Sequence, residues 1–334
     1  MKEYTPDHVR NVSLIGHGGA GKTSVSEAML FSAGSTTRLG RVEEGNTLSD
    51  YHPDEIDRQI SINTSLLFCE WKGDKINILD TPGYTDFTGE VKSALRVSDT
   101  AVILVKAVEG VEVGTEIVGK YTNELRNAAV FVVNKLDHEN ADFEKVVHQA
   151  HDLISHDVIP VQFPLRQGLG FESIVDIVKM KLLKFSPDAS GKYSEQEIPS
   201  EARSKADELR QQLLELIAET DENLLNKYLE QGGLSDEEFK TGLRSGIRER
   251  KIFPLLCCAA PLNVGVSSLL DFITEYCPAP SNMGNVNARS REKSNDDGAE
   301  MSVSQNPNGQ PSLFVFKTVS EAHVGELSFF RVYS

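Results

Sequence analysis

The chain has no apolar run approaching the ~18 residues of a membrane span. Its N-terminus, MKEYTPDHVR, lacks the apolar core of a secretory signal. Both absences favour a cytoplasmic protein over a membrane or secreted one. Cysteine is scarce: Cys69, Cys257, Cys258 and Cys277 show no C-x-x-C spacing. That argues against a disulfide framework or a zinc cluster and reads as reduced core thiols. Positive charge is also short, with 34 Lys and Arg against 50 Asp and Glu, a net charge of −16 and a pI near 5.0. Nucleic-acid binders are normally basic, so sequence-specific DNA binding is not expected. Any RNA contact would need a local basic patch.

What is present suits a folded protein of two or three domains: 334 residues, 39% hydrophobic and 25% charged. Up to residue 158, short apolar strands alternate with amphipathic stretches: NVSLIG, KINILD, TAVILVKA and AAVFVVNK are each followed by a helical pattern. Near-continuous apolar strands imply a mostly parallel sheet covered on both faces, hence a doubly wound α/β domain. Residues 159–251 break that rhythm with IPVQFPL, MKLLKF and a long helical run, and read as an inserted α+β subdomain. FPLLCCAA and VSSLLDFITEYC restore one strand and one helix, so the first domain takes in 1–158 and 252–280. Residues 281–311 are polar and rich in Asn, Ser and Gly, and read as a flexible linker. In 312–334, SLFVFKTVS and GELSFFRVYS alternate as the first strands of a β-domain. Two strands alone do not make a stable domain, which suggests an N-terminal fragment of something longer.

GHGGAGKT, residues 16–23, fits two phosphate-binding patterns. Read as G-x-G-x-x-G it is a dinucleotide turn, which needs an acid closing a second strand about 20 residues on. Glu43 and Glu44 stand there, but in a loop-like stretch, and Lys22-Thr23 has no part in that reading. Read as G-x-x-x-x-G-K-[ST] it is a P-loop, and every residue is used. Backbone amides of Gly16, His17, Gly18, Gly19, Ala20 and Gly21 wrap phosphates, Lys22 reaches the terminal ones and the Thr23 hydroxyl meets Mg²⁺; Ser24 follows at the helix start. Asp80 ends an apolar strand and suits the far side of that metal. In D-T-P-G, Pro82 fixes φ and Gly83 offers an amide that can approach a γ-phosphate. N-K-L-D, 134–137, again ends a strand. Asp137 can accept from guanine N1–H and the 2-amino group, Asn134 can bond to the N7/O6 side and the Lys135 stem can pack on the ring. CAAPLNVG follows the last strand, where the Ala260 amide could reach O6.

In order and spacing, GHGGAGKTS, DTPGYTDFTGEV, ALRVSDTAVILVKAVEGVEVGTE and NKLD resemble the translational GTPases, most closely the elongation factor G group, over essentially the whole chain. The resemblance implies GTP and GDP as ligands, Mg²⁺ as cofactor and the ribosome as partner, met in part through the insert. It also implies hydrolysis of GTP during translocation or ribosome recycling. The sequence departs from the family pattern at informative places. Gly18-Gly19 replaces Ile-Asp, RQIS replaces Arg-Gly-Ile-Thr and offers Ser61 as the metal-binding hydroxyl with Thr64 as a substitute, and Ala259 stands where Ser is common. Tyr84 replaces the water-positioning His, and His17 is a weak substitute for it. These departures resemble a divergent branch of the elongation factor G group. A phenol is a poor base at neutral pH. Tyr84, with Lys22 and Gly83, is therefore expected to act by position and to give slow hydrolysis. The competing expectations are a GTP-sensing module that scarcely hydrolyses, and a ribosome-protection or release factor.

Overall fold

The computed structural model describes residues 2–289, 299–306, 308–321 and 325–334. Strand β1 (Val9–Gly16) runs into helix α1 (Lys22–Ser32), and after a long loop come α2 (Pro53–Arg58), β2 (Ser65–Trp71) and β3 (Asp74–Asp80). Then follow α3 (Thr88–Val97), β4 (Thr100–Lys106), α4 (Val113–Leu125), β5 (Ala128–Asn134), α5 (Phe143–Leu153) and β6 (Val158–Pro160). Next are β7 (Gln162–Pro164), β8 (Ser173–Asp176), β9 (Lys181–Phe185), β10 (Tyr193–Gln196), α6 (Ser200–Ala218), α7 (Glu222–Gln231) and α8 (Asp236–Arg248). β11 (Phe253–Cys257) and α9 (Val266–Tyr276) close this part of the chain.

Among the described residues the main sheet has seven strands in the order β2-β3-β1-β4-β5-β11-β6. All neighbours are parallel except β2, which runs antiparallel to β3 on the edge. β5, AAVFVVN, is buried along its whole length and β4 nearly so. Helices must therefore cover both faces; α1 packs against α9, and α3 against α4. β2 shows the alternating burial of an edge strand. This is the doubly wound architecture expected from the sequence. All four cysteines are buried and free. No helix of the described residues is long and apolar enough to cross a membrane.

The strand order reverses at β1: the chain steps to β3 on one side and to β4 on the other. Such a switch point opens a crevice at the carboxyl ends of the strands. Gly16, Asp80, Asn134 and Cys257 all end strands at that edge.

β7 to β10 form a separate antiparallel sheet in the order β10-β9-β8-β7, joined by α6, α7 and α8. β6 pairs with β11, so the main sheet runs two residues past the boundary expected at 158. Within 281–311, expected as a linker, β12 (Val286–Arg289) pairs antiparallel with β13 (Glu300–Val303); residues 290–298 lie outside the described residues. β14 (Leu313–Glu321) and β15 (Gly325–Val332) form an antiparallel pair. Its Phe316 packs on Leu79, Ala94 and Val97.

Helix α8 shows how local chemistry sets the insert. The Glu238 N–H donates to Ser235 Oγ (3.4 Å), and the Ser235 N–H donates to Glu238 Oε2 (3.0 Å), closing a capping box. The helix then buries Phe239, Leu243 and Ile247. Ser235→Ala should lower unfolding free energy by about 1 kcal/mol. Urea unfolding should show a lower midpoint with an unchanged slope.

Candidate nucleotide site

The loop between β1 and α1 is shaped by glycine where no other residue fits. Gly16 has φ +149°, and a Cβ there would lie 2.5 Å from the Leu104 carbonyl oxygen. Gly21 has φ +87°, and its Cβ would collide with the Asn134 side chain. α1 starts at Lys22, so the loop's amides and the helix N-terminus face one space, the usual geometry for binding anions.

Lys22 is buried and its Nζ donates to the carbonyls of Gly16 and His17, both at 3.2 Å. Burial pulls its pKa down to about 8; Asp80 and Asp50 oppose the shift, and Lys106 adds to it. The Asp80 carboxyl is pushed up by burial and held back by the hydroxyls of Ser49 and Thr23, the Lys22 charge and the Ser26 hydroxyl. Its Oδ1 is buried without a hydrogen-bond partner.

Thr23 Oγ1 and Ser61 Oγ are 3.1 Å apart. Thr64, the substitute considered for Ser61, turns elsewhere: its N–H donates to Glu90 Oε2 (2.7 Å) and its hydroxyl to the Glu90 carbonyl (3.3 Å). Two hydroxyls and an orphaned carboxylate oxygen make an oxygen donor set that fits Mg²⁺. No group of three or more His, Cys, Asp or Glu able to hold a metal occurs among the described residues. The remaining ligands would have to come from phosphate and water.

Gly83 lies directly on the P-loop, since a Cβ there would meet Lys22 Nζ and lie 2.8 Å from Gly18 Cα. Thr81 anchors the turn by donating to the Leu14 carbonyl (2.7 Å). The Tyr84 ring lies over Gly18: a Cβ on Gly18 would sit 3.5–3.6 Å from three ring atoms. Tyr84 is nevertheless 48% exposed. His17 points the other way; its Nε2 is 3.3 Å from Glu112 Oε1 and its ring packs against Gly114.

Asn134 joins three loops. Its Nδ2 donates to the Ala20 carbonyl (2.9 Å), and its Oδ1 accepts from the Ala260 N–H (3.2 Å). One N–H of the amide is left over for a base. The Ala260 amide considered for O6 is engaged by Asn134 instead. Lys135 has φ 65°, and the Leu136 N–H donates to the Cys258 carbonyl (3.3 Å), which holds Asp137, partly exposed, beside the last loop. Ala259 is buried, its N–H donating to the Val264 carbonyl (2.9 Å).

Sequence reasoning passed over Asp50 and Glu55. Asp50 is 5% exposed; burial and the Asp80 charge push its pKa up to about 6, against a hydrogen bond from Ser61. Glu55 Oε1 accepts the N–H groups of Ile62 and Asn63, both at 2.9 Å. α2, which carries Glu55, lies in a stretch read as a loop, although Pro53 followed by Asp54 and Glu55 is a helix-start signal.

Asn134→Ala would leave the buried Ala20 carbonyl and Ala260 N–H unpaired. It should lower unfolding free energy by about 2–4 kcal/mol, measured by denaturant titration without nucleotide.

Residues 7–197 match the model of the elongation factor Tu GTP binding domain. Elongation factor G of Thermotoga maritima is 38% identical over 328 residues, covering 98% of this chain and 47% of that protein. Elongation factor G of Thermotoga neapolitana is 36% identical over the same shares. A crystallised protein of Thermus thermophilus superposes with a TM-score of 0.85 at 30% identity, over 98% of this chain and 46% of that one. The chain thus spans about half the length of the curated relatives it matches. The matched domain takes in more than half of the chain, and the chain belongs to the translational GTPases, the family of the elongation factor Tu GTP-binding domain.

Proposed function

We propose that the chain binds GTP with Mg²⁺ and hydrolyses it to GDP and phosphate, as the nucleotide-handling part of a cytoplasmic translation factor that works on the ribosome. The observation that carries this is the meeting of Lys22, Gly83, Thr23, Ser61 and Asp80 at the sheet's switch point, where the strand ending at Asn134 also bonds to the first loop. The body formed by 1–158 and 252–280 would hold the nucleotide, with 159–251 as its insert and 312–334 as the opening of a second β-domain.

Each residue then has a task. Amides of residues 16–24 and the Lys22 ammonium bind the β- and γ-phosphates. Thr23 and Ser61 would hold Mg²⁺ together with phosphate oxygens, and Asp80 would do so through water; the ion neutralises charge on those oxygens. Asp137 accepts two hydrogen bonds from guanine, which adenine cannot offer. Water attacks the γ-phosphorus, a P–O bond forms, the bond to the β–γ bridging oxygen breaks with its electron pair going to GDP, and the proton shed by the water passes to an oxygen of the released phosphate. Most of the catalytic effect in such a transfer is positioning and electrostatics. Tyr84, set over Gly18, lies within the same loop cluster, and its OH can orient the water without acting as a base.

Titration with fluorescent GTP in Mg²⁺ should show specific binding, and Asp137→Ala should weaken it by about 30- to 1,000-fold, the worth of two charge-assisted hydrogen bonds. Turnover should be slow alone and strongly stimulated by ribosomes. Tight binding without turnover in either condition would replace the enzyme with a GTP-sensing module. Tyr84→Phe should slow the stimulated rate about tenfold; an unchanged rate would remove Tyr84 from the mechanism.

A further inference from the structure

The β14–β15 pair is fixed along α3, the helix that follows the D-T-P-G-Y turn, by one contact at each end and one between. In the middle, Phe316 packs on Leu79, Ala94 and Val97. At the C-terminal end, Arg331 donates to the Val97 carbonyl (3.0 Å) and to Asp99 Oδ1 (2.6 Å), while Asp99 Oδ2 accepts from Asn11 (2.9 Å). Near the N-terminal end, Lys317 Nζ donates to Glu90 Oε2 (2.9 Å) and to the Thr64 carbonyl (3.0 Å).

This last contact differs in kind from the Arg331 anchor. Glu90 Oε2 also accepts the Thr64 N–H at 2.7 Å, so Lys317 and Glu90 together grip both backbone groups of Thr64. Thr64 closes the segment that carries Ser61. The amides of Ile62, Asn63 and Thr64 are held by carboxylates, two by Glu55 and one by Glu90. That segment's position therefore rests on two acids. Lys317 is the cation paired with one of them, and it is largely shielded from solvent, with 12% of its side chain exposed. Desolvation tends to raise the Glu90 pKa, but the Lys317 hydrogen bond, the Thr64 N–H and the Lys317 charge outweigh it and hold the carboxylate ionised.

We propose that Lys317 is a positioning residue for the nucleotide site: by fixing Glu90 and Thr64 it sets Ser61 opposite Thr23, and so links the seating of the β14–β15 pair to the binding of triphosphate and Mg²⁺. The proposal rests on the GTP reading given above. Linkage is reciprocal: triphosphate binding would tighten the seating of the pair by the factor by which the seating tightens triphosphate binding.

The test compares Lys317→Met, Lys317→Arg and Arg331→Met in the full chain. Arg331→Met removes an equally shielded anchor of the same hairpin that touches no part of the 61–64 segment. Two quantities are read: the ratio of GTP to GDP affinity in Mg²⁺, and hydrogen exchange of the Ile62, Asn63 and Thr64 amides without nucleotide. Lys317→Met should lower the ratio about tenfold through GTP alone and speed exchange at Thr64 about tenfold or more. Lys317→Arg should restore most of both. Arg331→Met should lower thermal stability while leaving ratio and exchange within about twofold of the parent. If the two Met variants change both readouts equally, Lys317 only fastens the hairpin and the proposal fails. If Thr64 exchange does not respond to Lys317→Met, the proposal fails whatever the nucleotide data show. If exchange responds as expected but the parent chain binds no GTP, the GTP reading fails and the claimed link to the nucleotide falls with it.

Discussion

The ammonium of Lys22 is buried at the mouth of the sheet with carbonyls of its own loop as direct partners, and a charge held there must be answered from nearby. Burying an unpaired ion costs several kcal/mol even after relaxation. Asp80 and Asp50 supply negative charge, but both are themselves buried, and the Asp80 charge adds to the cost of ionising Asp50. A cation and two carboxylates buried together are poorly matched on their own. Under the reading proposed here, a phosphate chain and a divalent cation complete that set, each offsetting a charge the protein leaves only partly compensated.

Much of this is legible in the sequence. The sheet was readable because parallel, doubly covered strands must be apolar along their length, as TAVILVKA and AAVFVVNK are. The P-loop was readable because glycine spacing and a Lys-Thr pair encode a backbone shape directly. What escaped lies where the chain has little periodicity. Asp50 and Glu55 sit between motifs, and nothing in their immediate neighbours reveals that one faces Asp80 and the other holds two amides of a distant segment. The choice between Ser61 and Thr64 turns on which way an irregular loop points, and only the fold places Glu90 beside Thr64. The N-K-L-D motif marks Asn134 as a base contact. Its bonds to Ala20 and Ala260 depend on three loops that meet only after folding.

The insert and the C-terminal strands teach a similar lesson at larger scale. Their patterns announced local structure, and helix α8 even carries its capping box in plain sequence. The register of β12 with β13, by contrast, sets Val286 opposite Val303 and Ala288 opposite Met301, an apolar face too short to stand out from its polar surroundings in sequence. Lys317 and Arg331 look like ordinary strand cations until α3 is seen to lie beneath them.

Gly18 and Tyr84 are far apart in sequence and neighbours in space: a Cβ at 18 would come into ordinary contact with the ring, 3.5–3.6 Å away. The phenol therefore roofs the first loop without being wedged into it. Because about half of the side chain is exposed, lifting it off Gly18 uncovers little apolar surface. The ring is a hinged cover, free to leave the loop without disturbing the core beneath.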